Sequence, residues 1–114
     1  MSKPELVPEA WKQKVREILQ TRDERFIRVR RRAREDWDML FPDYEHPLLD
    51  ALIEVLSIPE LAGRRVDQME EPGEVYEFIF DYCRRRIYSK INLSPNGEVV
   101  IIYSAHRPLR GDQL

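Results

Sequence analysis

A chain of 114 residues, 42% hydrophobic and 10% aromatic, is sized for a single α+β domain with one modest core. Charged residues make up 35%, but both signs are present and the net charge is only −2, which excludes a disordered polyanion and a simple basic tail. No apolar run nears a membrane span, the opening MSKPELVPEAW has no apolar signal core, and the lone Cys83 excludes an intrachain disulfide or a cysteine-rich zinc cluster. The expectation is a cytoplasmic protein with no membrane partner.

Pro4 and Pro8 mark a loose start. From Glu9 the pattern turns helical, with Trp11, Val15, Ile18 and Leu19 on one stripe. Thr21-Arg22-Asp23-Glu24 reads as a capping box, and a second helix then places Phe26, Val29, Ala33, Trp37 and Leu40 on one face, ended by Pro42. The sequence leaves open whether these are two helices or one bent helix. Pro47 suits the first position of a third, mostly apolar helix carrying Leu48, Leu49, Leu52, Ile53, Val55 and Leu56. A short helical piece from Ser57 to near Gly63 and a polar loop over 67–74 follow. Residues 1–66 are thus read as mainly helical, with both tryptophans as core contacts and Cys83 as a packing residue.

Residues 75–107 are read as a three-strand antiparallel meander packed against the helices. Segment 75–82, VYEFIFDY, alternates Tyr76, Phe78, Phe80 and Tyr82, and its β-formers favour strand over helix. Strands over 86–93 and 98–105 flank Ser94-Pro95-Asn96-Gly97-Glu98, a sequence suited to a type I turn with a bulge at Gly97. Such a turn sets Ser94 opposite Glu98. One face then pairs Leu93 with Val99, Ile91 with Ile101, Ser89 with Tyr103 and Ile87 with Ala105. The other pairs Asn92 with Val100, Lys90 with Ile102, Tyr88 with Ser104 and Arg86 with His106.

Charge is unevenly spread along the chain. Residues 22–34 hold seven arginines against two acids, and 83–110 hold six basic residues against Glu98 alone. Residues 35–82 hold fourteen acids against Arg64 and Arg65. One reading is a self-compensated surface in which the acidic middle pairs with the arginines. The other is a nucleic-acid partner, because arginine's planar fork suits phosphate. The expected outer face gathers Arg86, Tyr88, Lys90, Ser104 and His106, with Arg107 and Arg110 just beyond and Arg84 and Arg85 just before. Cations can stabilise a phosphorane, and His, Lys or Tyr can move protons. RNA brings its own nucleophile, the 2′-hydroxyl, so neither metal nor cofactor is called for. Metal-site spacing and glycine-rich phosphate loops are absent from the sequence.

The C-terminal half resembles the small ribonuclease toxins of the RelE-like, or barnase–EndoU–colicin–RelE, group, and most of all the MqsR-type toxins of toxin–antitoxin systems. The likeness covers roughly residues 46–107. It lies in Val55-Leu56-Ser57-Ile58-Pro59-Glu60-Leu61, in Tyr88-Ser89-Lys90-Ile91 and in Ile101-Ile102-Tyr103-Ser104-Ala105-His106. It implies an endoribonuclease with Tyr88 in the active site, and His106 where the family carries a catalytic lysine. It also implies a cognate antitoxin as partner. With Lys90 and Arg86 the catalytic set is His106, Tyr88, Lys90 and Arg86, and Arg107, Ser104, Arg84, Arg85 and Arg110 are the substrate-binding set. The competing readings are a non-catalytic RNA- or protein-binding module on the same surface, and a structural domain that pairs its own charges or those of a second copy.

Overall fold

The computed structural model describes residues 5–109; Arg110 lies outside them. Three helices, α1 (Glu9–Thr21), α2 (Arg31–Leu40) and α3 (Leu48–Val55), accompany five strands: β1 (Ile27–Val29), β2 (Gly63–Val66), β3 (Glu74–Tyr82), β4 (Arg85–Leu93) and β5 (Val100–His106). The sheet order is β1-β5-β4-β3-β2, with β1 parallel to β5 and every other neighbour antiparallel. The fold is α+β as expected, and β3-β4-β5 is the expected meander. It is widened by two short edge strands inside the stretch read as mainly helical.

Helix α1 forms where its stripe predicts, burying Trp11, Val15 and Leu19. The second helix starts later than expected. Thr21 closes α1, and Arg22 adopts a left-handed C-cap with φ 54°. The Thr21–Glu24 box therefore caps no helix; Asp23 instead accepts the Arg25 amide at 3.0 Å in the turn. Ile27-Arg28-Val29 then forms an edge strand, its ends held by Val100 N–H to Phe26 O and Arg30 N–H to Ile102 O. Ala33, Trp37 and Leu40 keep the predicted inward face of α2. Pro47 stands just before α3 as its N-cap rather than inside its first turn. The short helical piece after Ser57 is a turn leading into β2. Gly63 is required there, since a Cβ would come within 2.5 Å of Val7 Cγ2 and 2.7 Å of the Glu77 carbonyl.

All three helices share one core with the inward side of the sheet, built on Leu19, Trp37, Leu52 and Leu56 against Phe78, Ile87, Ile91 and Ile102. Both tryptophans are buried with their ring N–H groups paired, Trp11 to Glu74 O at 3.0 Å and Trp37 to His46 O at 2.6 Å. Cys83 is no packing residue. It is exposed with Arg84 in the β3–β4 turn, both at positive φ (49° and 65°), 3.5 Å from His46 Nδ1.

The β4–β5 register departs from the expected one in two steps. At the turn Gly97 donates to Ser94 O at 2.8 Å, with φ +72°, as a type I turn with a glycine bulge predicts. But Ser94 Oγ accepts the Val99 amide at 2.9 Å, and Asn96 Oδ1 accepts the Glu98 amide at 3.1 Å. Side chains thus hold Glu98 and Val99, and the ladder opens at Leu93–Val100, one residue later than expected. Val100 and Ile102 consequently face the core and Ile101 faces away from it. A bulge between Ile91 and Lys90 then inserts Tyr103, after which Lys90 pairs with Ser104, Ser89 with Ala105 and Tyr88 with His106. The bulge restores the expected parity, so Ser104 and His106 stay on the outer face.

Candidate functional site on the outer face of the sheet

The helix-free side of the sheet is covered at one end. The segment between β2 and β3 crosses it: Glu71 accepts from the Tyr103 hydroxyl at 3.0 Å and pairs with Arg30, and Asn92 donates to Pro72 O at 3.3 Å. Val75, Asn92 and Ile101 are buried as a result. Gly73 lies against Asn92, where a Cβ would meet Asn92 Oδ1 at 2.0 Å. What remains accessible is the opposite end, carrying Tyr88, Lys90, Ser104 and His106.

These four come together through the two strand pairs Tyr88–His106 and Lys90–Ser104. The Tyr88 and His106 rings stack, with centroids 5.1 Å apart and planes 27° from parallel. His106 Nδ1 lies 2.6 Å from the Arg107 carbonyl. A carbonyl can only accept, so Nδ1 carries a proton and the neutral imidazole keeps its basic lone pair on Nε2. The Lys90 ammonium sits 5.8 Å from the centroid of the Tyr103 ring and forms no ion pair among the described residues.

Two residues not singled out from the sequence fix Tyr88. Its hydroxyl donates to Glu77 Oε2 at 2.5 Å, and Glu77 Oε1 accepts from Arg64 Nε at 2.9 Å. Glu77 is 7% exposed, a buried carboxylate satisfied from both sides. Burial, then the hydrogen bond to Glu77, push the Tyr88 hydroxyl well above the ordinary tyrosine value. Tyr88 therefore holds its proton, as a positioned neutral ring against His106. The strand parity of 75–82 already set Glu77 on the outer face; its partner was hidden because β2 was not foreseen.

The remaining sequence candidates scatter. Arg107 is exposed immediately after β5. It lines a cleft of about 300 Å³ with Arg32, Asp36, Tyr103, Ser104, His106 and Leu109. Arg86 lies on the outer face but contacts Asp81 at 3.1 Å. Arg85 belongs to the other side, its guanidinium 5.3 Å from the Phe41 centroid. Arg84 occupies the hairpin turn. In the arginine-rich stretch, Arg22, Arg25, Arg30, Arg31 and Arg32 each meet a carboxylate, which favours charge compensation for most of that segment. Among the described residues no three His, Cys, Asp or Glu side chains converge in a group able to hold a metal ion. No helix among them is long and apolar enough to cross a membrane. Comparisons with protein-family models, curated proteins and solved structures give no match to this chain.

Proposed function

We propose that this protein is a metal-independent endoribonuclease that cleaves RNA by attack of the 2′-hydroxyl on the adjacent phosphate. The observation that carries the proposal is the stacked Tyr88–His106 pair beside Lys90 and Ser104, opening onto a cleft lined by Arg107. His106 Nε2 takes the proton of the 2′-hydroxyl as its oxygen bonds to phosphorus. The bond from phosphorus to the 5′-oxygen breaks, and the Lys90 ammonium supplies that oxygen's proton. Arg107 offsets the charge that builds on the non-bridging oxygens. The products are a 2′,3′-cyclic phosphate and a free 5′-hydroxyl. The likeness over residues 46–107 to RelE-like and MqsR-type proteins extends the proposal to a toxin held by a cognate antitoxin.

The test is incubation with mixed-sequence RNA in EDTA, beside His106→Ala. The wild type should leave cyclic-phosphate ends, and the variant should be slower by roughly 10²-fold or more. Full activity in folded His106→Ala protein would remove His106 from the mechanism. One observation favours a non-catalytic RNA-binding module instead: the Arg64–Glu77–Tyr88 network immobilises the tyrosine proton as a purely structural network would. Salt-sensitive RNA binding without cleavage is the outcome that selects that reading.

A further inference from the structure

We infer that the cleft between α2 and the end of β5 is a guanine-selective base pocket, with Asp36 as the reading residue; the inference rests on the ribonuclease reading of the adjoining face. Among the described residues Asp36 is the only acid in a lining that otherwise comprises Arg32, Tyr103, Ser104, His106, Arg107 and Leu109. A carboxylate there repels phosphate, so its counterpart is a donor edge. Unlike Glu35, whose side chain is 54% exposed on the open flank of α2, Asp36 is 20% exposed and turned into the cleft. Its ion pair with Arg32 is one-sided: Arg32 Nε donates to Oδ1 at 3.3 Å, and Oδ2 has no hydrogen-bond partner among the described residues.

Single-stranded RNA is read by bases splayed out of the stack and bonded along their Watson–Crick edges. Of the four bases only guanine places two donors, N1–H and the 2-amino group, side by side on that edge, matching the two oxygens of a carboxylate. Adenine and cytosine each set a donor beside an acceptor, and uracil flanks its one donor with two acceptors. Arg32, already tethered to Asp36, is placed to donate to the guanine O6. Leu109, 87% exposed at the rim, offers apolar surface to the base plane. The base would thus enter the cleft with its phosphate toward Arg107 and His106.

The test is binding of 3′-GMP, 3′-AMP, 3′-CMP, 3′-UMP and 3′-IMP to the full chain, followed by NMR titration, with Asp36→Asn beside the wild type. The wild type should bind 3′-GMP roughly tenfold tighter than the other three common nucleotides, the discrimination expected of one bidentate pair. Inosine, which lacks the 2-amino group, should fall between. Asp36→Asn breaks only one long i,i+4 contact, to an Arg32 that is itself 83% exposed, and should fold normally while losing most of the preference. Equal binding of all nucleotides, or a guanine preference that survives Asp36→Asn, overturns the inference. Selective binding that depends on Asp36 upholds the pocket even where the protein cleaves no RNA, so failure of the ribonuclease proposal is read separately.

Discussion

Tyr88→Phe separates a structural from a chemical role for the tyrosine. The substitution keeps the ring that stacks on His106 and removes only the hydroxyl that donates to Glu77 at 2.5 Å. A hydrogen bond to a charged group contributes about 1.5–3 kcal/mol, and Glu77 at 7% exposure has little water to replace it. Its other oxygen keeps Arg64, so the loss should stay within that range, which lowers Tm by about 6–12 °C for a chain of this size. Denaturant unfolding at pH 7 measures the first quantity and the initial rate of RNA cleavage the second. The rate should change by no more than about threefold, because a tyrosine that holds its proton so firmly is not a proton carrier. Tyr88→Ala, which also removes the ring, should lose cleavage. Unchanged stability in Tyr88→Phe, or a 10²-fold slower rate with the fold intact, would refute the reasoning. The pH dependence has a fixed sign. The folded-state pKa of Tyr88 is raised, so its stabilisation is fully present below the unfolded value of about 10 and fades as pH rises toward the folded one. The stability gap between wild type and Tyr88→Phe should hold constant from pH 7 to 9 and narrow above pH 10.

Lys12 is 1% exposed, with its ammonium donating to Ile58 O at 2.5 Å and lying 2.7 Å from Glu9. Lys12→Met keeps the volume but strands that carbonyl, and should cost about 1–2 kcal/mol in urea unfolding; a gain in stability would show that desolvating the ammonium outweighs its bonds. The β3–β4 turn holds Cys83 and Arg84 at positive φ, where asparagine and glycine are at ease. Cys83→Asn with Arg84→Gly should therefore raise stability by about 1–2 kcal/mol, and an unchanged or lower Tm would show that the turn carries no such strain.

Helix α1, the inward stripe of α2, α3 and the meander were legible because each rests on a local period. The edge strands were not. Ile27-Arg28-Val29 is too short to show alternation, and its arginine-rich flanks read as a helix face; only its pairing with Val100–Ile102, more than seventy residues away, makes it a strand. Gly63–Val66 is likewise defined by pairing with β3. The register failed for a different reason, since the Ser94 and Asn96 side chains took amides that backbone geometry alone assigns to the ladder. The site survived that error because the bulge at Tyr103 shifts the pairing by a further residue and leaves Ser104 and His106 on their expected face. Glu77 and Arg64 were missed together, each lacking meaning without the other. Asp36 and Arg32 were hidden within an ordinary i,i+4 pair, and only their placement beside the end of β5 distinguishes them.

The position of β5 bears on how the molecule is made. It is the last described element along the chain, yet it lies inside the sheet between β1 and β4. Until residues 100–106 leave the ribosome, β1 has no neighbour, β4 has one bare edge, and Tyr88 has no ring to stack on. The proposed chemistry is therefore assembled only once residues 100–106 have been made, and a shorter nascent chain carries no complete site. A chain cut short before Val100 would leave two unpaired strand edges, a state suited to aggregation and to rapid proteolysis rather than to partial activity.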